Sequence, residues 1–207
     1  MDILNRSAAF DMQYLPRCQW AWAAILISVF LLLAPRHVQA ADKVSTIMVA
    51  GELPGQADDV ALQAAFVLNF LQYVTWPNLQ PEAPVTILCA SSTDLETFAR
   101  VLGARSVGGH ALRLSPYSPE AAKTAQVAFL REGGRGELRQ MLAECASYPI
   151  LTVSDAAGFA QMGGIVNFYR KSGKLRFEIN VDAVSRAGLR ISSQLLKLAR
   201  ILHEKEG

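Results

Sequence analysis

The chain has 207 residues, of which 51% are hydrophobic and 18% charged, a balance that excludes disorder and supports a sizeable core. Its 20 Lys and Arg nearly cancel its 18 Asp and Glu, for a formal charge of +2. Without a concentrated basic face, a nucleic-acid partner is excluded.

The first element is a leader. Asp2–Gln19 carries Arg6 and Arg17 as its only cationic residues, Trp20–Ala34 is apolar apart from Ser28, and Val38-Gln39-Ala40 follows Pro35 as a small-x-small site. That order describes a secretory signal cleaved after Ala40, and the apolar run falls short of the roughly 20 residues a membrane-spanning helix needs. An uncleaved amino-terminal anchor is the alternative. Either one exports the remainder, which in a bacterium means the periplasm. Without residues 1–40 the chain carries 17 bases and 16 acids.

Residues 41–58 contain Gly51, Pro54 and Gly55 with little periodicity and read as a lead-in arm. Residues 59–207 read as one domain, since no linker or internal repeat divides them. Val60, Ala64, Val67, Leu68, Leu71 and Val74 recur at helical spacing until Trp76-Pro77, where proline removes a donor. Val85–Ala90 is a short apolar run suited to a buried strand. Thr93–Leu102 follows as a helix with Leu95, Phe98, Ala99 and Leu102 inward, ended by Gly103. Ala111–Leu114 and Gln126–Leu130 read as further strands. Gly133, Gly134 and Gly136 form a turn into a helix over Glu137–Cys145, and Ile150–Val153 is another strand.

After Gly163-Gly164 the alternation of Ile165, Asn167 and Tyr169 with Val166 and Phe168 predicts a hairpin that turns at Arg170–Gly173. In its second arm Phe177, Ile179 and Val181 share one face, and Arg176, Glu178 and Asn180 the other. The chain then predicts a closing helix from about Ser192, with Leu195, Leu196, Leu198, Ala199 and Leu202 as its apolar face. The fold class that follows is α/β. It is a three-layer sandwich, with a mostly parallel central sheet, a carboxyl-terminal antiparallel hairpin and flanking helices.

Chemistry is sparse. His110 follows Gly108-Gly109 in a turn and His203 lies in a charged tail, neither at ligand spacing, so both read as solvated and no metal site is expected. No G-x-S-x-G elbow is present, and no base partners a serine, so an exported hydrolase is the weakest class. Cys89 and Cys145 fall at opposite edges of the inferred sheet, too far apart to bond, and read as free buried thiols. Trp76 and Phe177 belong to buried patterns and read as core. Ser91, Gly134, Arg135 and Asp155 lie near strand carboxyl ends, where α/β sheets hold anions or amino acids. A small-ligand sensing domain is therefore the alternative function. Asp155 also suits an Asx turn, and the glycines match neither G-x-G-x-x-G nor a P-loop. The row Arg176, Glu178 and Asn180, with Tyr169, fits a solvated sheet face or a polar protein interface.

Several segments together resemble one family. They are Phe66-Val67-Leu68-Asn69-Phe70, Tyr73-Val74-Thr75-Trp76-Pro77, Ile87-Leu88-Cys89, Ile150–Asp155, Gly158-Phe159-Ala160 and Gly163-Gly164. Leu175–Asn180, Ala187-Gly188-Leu189 and Ile191–Ala199 complete the set. In this order they look like the YfiR-like periplasmic proteins, from about Asp59 to Ala199. The resemblance implies a periplasmic α/β domain, often a homodimer, that is not an enzyme and uses no cofactor. It implies binding to an inner-membrane diguanylate cyclase, or another membrane sensor, and repression of that partner. It also implies sequestration by an outer-membrane lipoprotein. Tyr169, Arg176, Glu178 and Asn180 are the candidate partner-binding residues under that implication. Family members often pair the cysteine matching Cys89 with one at the start of the strand Ala125–Leu130. Here Ala125 or its neighbour stands in that place, and a second family pair near Gly158–Phe168 is also absent.

Overall fold

The computed structural model describes residues 56–131 and 133–204. The signal segment 1–40 and most of the arm lie outside the described residues. Helix α1 (Gln56–Phe70) begins three residues before the boundary expected at Asp59. It is followed by β1 (Val74–Thr75), β2 (Val85–Cys89), α2 (Ser92–Leu102), β3 (Ser106–Val107), β4 (His110–Pro116) and α3 (Pro119–Ala122). Next come β5 (Val127–Phe129), α4 (Arg135–Cys145), β6 (Leu151–Ser154), a 3-10 turn (Ala160–Met162), β7 (Val166–Lys171) and β8 (Lys174–Asn180). The described chain ends with α5 (Val181–Arg186), β9 (Arg190–Ile191), α6 (Ser193–Leu196) and β10 (Arg200–Leu202).

Eight strands form the main sheet in the order β10-β8-β7-β6-β5-β2-β4-β3, and β1 pairs with β9 in a separate antiparallel ribbon. β4, β2, β5, β6 and β7 run parallel, while β8 returns antiparallel to β7. The mixed three-layer α/β architecture is therefore the one the sequence predicts. The chain starts at β2, moves outward to β4, then passes back to β5 on the other side of β2. That reversal is the topological switch point at the carboxyl ends of β2 and β5, the place where α/β sheets of this kind leave room for a crevice.

The two helix layers follow the strand alternation. On one face Phe66 and Phe70 of α1 cluster with Phe168 and Phe177, ring centroids 4.9 Å apart at the closest, and Phe98 of α2 meets Phe129. On the other face α3 and α4 cover Leu88, Ala128, Leu130 and Ile150. Gly164 is forced by close approach, because a Cβ there would stand 2.2 Å from the Phe159 ring. The connection from β6 to β7 is too short for a full helix, so the α4 layer ends in a groove of about 290 Å³ over Thr152 and Ile165.

Five local expectations need correction. The closing helix is one turn, Ser193–Leu196, after which the chain becomes β10 and pairs parallel with β8. Leu195 is buried but Leu198 is 46% exposed, so the apolar residues never form one helical face. The open edge of β8 outcompetes helix continuation by supplying ladder partners. Helix α1 stops at Phe70, because Leu71–Tyr73 turns back on it and Val74 pairs with Ile191. In α2 the buried face runs through Asp94, Thr97, Phe98 and Leu102, leaving Ala99 exposed, because Asp94 is drawn inward by an ion pair. His110 opens β4 rather than lying solvated in a turn; its Nδ1 sits 2.8 Å from the Ala83 carbonyl oxygen. The hairpin turn is two residues, Ser172 (φ 53) and Gly173 (φ 74), as a tight turn between twisted strands requires.

Cys89 and Cys145 are both free and buried. Register also revises the cysteine correspondence implied by the resemblance. Cys89 stands opposite Phe129, and Val127 opposite Ile87, so Ala125 lies at the other end of the strand pair. A cysteine at Ala125 would be out of reach of Cys89.

Candidate functional site

Two gatherings of charged side chains bear on the expected site residues. The first is the crevice at the reversal between β2 and β5. Ser91 caps α2, its Oγ accepting from the Asp94 N–H at 3.4 Å. That cap turns the first turn of α2 toward the end of β5, where Arg131 follows the buried run Val127–Leu130. The Arg131 guanidinium donates to Asp94 Oδ1 and to Asp155 Oδ1, each at 3.1 Å. Asp155, just past β6, accepts a second bond at Oδ2, from Gln63 Nε2 of α1 at 3.0 Å. Ser154, rather than Asp155, makes the local turn: its Oγ accepts from the Ala156 N–H at 3.1 Å.

This network is mostly enclosed, with Asp155 at its open side, 28% exposed. The side chains of Arg131 and Asp94 are 16% and 6% exposed, and Gln63 is buried inside the apolar stripe of α1. One guanidinium shared by two carboxylates leaves a net negative charge there, and the cost of desolvation falls mainly on Arg131 and Asp94. One atom is left over: Gln63 Oε1 is buried without a hydrogen-bond partner among the described residues. The proximity of Asp94 also adds to burial in pushing the Cys89 thiol up to about 12. Of the expected ligand-holding residues, Ser91 and Asp155 meet here. Gly134 caps α4 without a side-chain bond, and a side chain at Gly158 would lie 3.7 Å from the Arg135 guanidinium.

The second place is the outer face of the hairpin. Cross-strand register puts Tyr169 opposite Arg176, Lys171 opposite Lys174, and Asn167 opposite Glu178, all on the face away from α1. β10 sets Arg200 beside Glu178, and the guanidinium pairs with that carboxylate while lying 4.8 Å from the Tyr169 ring centroid. Lys171, Lys174 and Arg176 are exposed and have no ion-pair partner among the described residues.

The solvated polar row expected from alternation is therefore only half present. Arg176 is exposed and Tyr169 half-buried, but Glu178 and Asn180 are 2% and 1% exposed. Glu178 lies beneath Arg200. Asn180 caps α5, accepting from the Asp182 and Ala183 N–H groups, while its Nδ2 donates to the Ala160 carbonyl oxygen. Asn167 is likewise buried, its amide donating to the Ser154 and Ala156 carbonyl oxygens.

Sequence reasoning passed over Gln63, Asp94, Arg131 and Arg200. An acid in the first turn after a serine cap, and a single Arg closing a buried strand, were the available signals for Asp94 and Arg131. Arg200 had none, because its strand was read as helix.

One solved structure similar to this chain is a conserved domain protein from Vibrio cholerae O1 biovar El Tor, with a TM-score of 0.50 and 11% identity. The match covers 70% of this chain and 60% of that one, and at this identity it speaks to the fold alone. The family comparison reaches further. Residues 60–200 match the YfiR/HmsC-like family, almost the whole of the described fold. The chain belongs to the YfiR/HmsC-like family, a family of periplasmic regulators.

Proposed function

We propose that this protein is a non-enzymatic periplasmic regulator. It binds the periplasmic region of an inner-membrane signalling protein, represses a diguanylate cyclase and so lowers cyclic di-GMP. The observation that carries this reading is the contrast in the polar groups. The crevice is occupied by its own ion pairs, whereas the hairpin presents Tyr169, Lys171, Lys174 and Arg176 outward with charge to spare. Control of the partner needs only unequal affinity for its two states; a full 1:99 to 99:1 shift takes about 5.5 kcal/mol. A few aromatic and arginine anchors supply energies of that order.

Deleting the gene should raise cellular cyclic di-GMP, and restoring the full gene, but not one lacking residues 1–40, should reverse the rise. Unchanged cyclic di-GMP would sink the cyclase assignment. Tyr169→Ala with Arg176→Ala should weaken partner binding and leave the melting temperature nearly unchanged. Glu178 and Asn180 serve the same surface from beneath, by holding Arg200 and the start of α5.

A small-ligand sensing role is the second reading, and the buried, unpartnered Gln63 Oε1 at the crevice is what favours it. A rise in melting temperature with small anions or amino acids, lost in Gln63→Leu, would support it.

A further inference from the structure

The hairpin has an open edge as well as a charged face. The Asn180 N–H donates to the Ile165 carbonyl oxygen at 2.9 Å, so position 180 directs its backbone groups toward β7. Antiparallel pairing alternates, so 178, 176 and 174 do the same, while 175, 177 and 179 direct theirs outward. β10 pairs only with Glu178–Asn180. Leu175 therefore presents its N–H and C=O outward at an edge that no strand covers among the described residues.

The side chains flanking this edge are cationic. Lys174 and Arg176 lie two residues apart on one face of β8, with Lys171 opposite Lys174, and all three are exposed. Lys197 and Arg200 stand on the adjoining segment, also exposed. The acids nearby are engaged: Asp59 pairs with Arg170, and Glu178 with Arg200. Edge lysines ordinarily guard a strand against self-pairing, because a second copy would bring the same charges alongside. The same arrangement attracts a strand of opposite charge.

Resting on the regulatory reading above, we propose that the open edge of β8 receives an extended, acidic segment of the protein partner as an added strand. Main-chain bonds to Leu175 would give the segment its register. Acidic side chains at alternate positions would meet Lys174 and Arg176 on one face. The charges would speed encounter and make it salt-dependent, whereas the backbone bonds would hold the complex.

The probe is a capped peptide of alternating Val and Glu, compared with one of alternating Val and Lys, added to protein purified from cells expressing the full gene. Fluorescence anisotropy should show binding of the acidic peptide alone, weakening about tenfold between roughly 50 and 300 mM NaCl. Hydrogen exchange should slow at the Leu175 amide when the acidic peptide is present. Lys174→Glu with Arg176→Glu should abolish binding. Leu175→Pro should reduce it at least about tenfold, since it removes an outward donor and keeps every charge.

Equal binding of the two peptides, or no protection of Leu175, would overturn the proposal. So would an unprobed protein whose Leu175 amide is already protected in a dimer, which would assign the edge to a second copy. The unmodified protein supplies the exchange readout, so the proposal does not depend on the proline variant folding. If cyclic di-GMP control survives Leu175→Pro but fails in the Tyr169 and Arg176 variants, the regulatory reading stands and the added strand falls. If the acidic peptide binds as described and gene deletion leaves cyclic di-GMP unchanged, the reverse holds.

Discussion

The crevice and the hairpin face use the same kinds of residue to opposite ends. At the crevice Arg131 reaches two carboxylates, and α1 covers them with Gln63. On the hairpin a row of cations faces solvent, with Glu178 sunk below Arg200 as the carboxylate on that face. A charge that is enclosed and paired ties elements of the fold together. One that is exposed and unpaired contributes little to stability and is available to a partner. Proximity to strand carboxyl ends does not by itself mark a binding site; what matters is how far the groups there have already satisfied one another.

The largest expected effect comes from Arg131→Ala, which removes the guanidinium shared by Asp94 and Asp155. It should cost about 3–5 kcal/mol, or roughly 10 °C in melting temperature. Arg176→Ala should stay within about 0.5 kcal/mol by the same denaturation measurement. Similar losses at both positions would mean that the exposed arginine is as structural as the enclosed one.

Arg200 stands between these two extremes. Arg200→Ala strands the buried Glu178 carboxylate and should cost about 1–3 kcal/mol, with much of the loss recovered in Arg200→Ala combined with Glu178→Gln. No recovery in that pair would place the cost outside the ion pair.

Acid should act next, and locally. The Glu204 carboxyl is held below its ordinary value of 4.5, chiefly by its bonds from the Arg186 guanidinium and further by the Asn180 amide. A lowered carboxylate contributes its full stabilisation above the unfolded value and loses it as pH falls through the folded one. Below about pH 4.5 the amides of β10 should begin to exchange faster than those of β2 and β5. Equal acceleration across the sheet would count against a local role.

The smallest effect is chemical. Burial raises the Cys89 thiol to about 12, with a further push from Asp94, and the Cys145 thiol to about 11. Neither should react with a thiol reagent at neutral pH until the protein is unfolded. A fast native-state reaction would show that one of the two helix layers opens readily.

Much of the fold is legible in the sequence, because the buried strands are short, unbroken apolar runs: Val85–Cys89, Val127–Phe129 and Leu151–Ser154 each fall within a residue or two of the expected span. The closing strand was not. Leu195, Leu196, Leu198, Ala199 and Leu202 satisfy helical spacing, and only the vacant edge of β8, a tertiary fact, turns Arg200–Leu202 into strand. The two candidate sites divide similarly. Ser91 and Asp155 were visible from their positions after strands. Asp94 and Gln63 sit on helical faces otherwise read as apolar, and the burial of Glu178 depends on Arg200 arriving from residues beyond the hairpin. Local pattern reports which face a residue occupies; it does not report what later covers that face.

The β1–β9 ribbon has a bearing on when this protein finishes folding. Val74 finds its partner only when Ile191 arrives, Asp59 meets Arg170 at a separation of 111 residues, and β10 closes the sheet from the very end of the described chain. So high a share of distant pairing makes for slow assembly, since loop closure must come before contacts repay it. The early helix and strands wait with part of their pairing unmade until residues 190–202 arrive. The completed sheet is thereby a product of arrival, timed by its last described strand rather than by the elements made first.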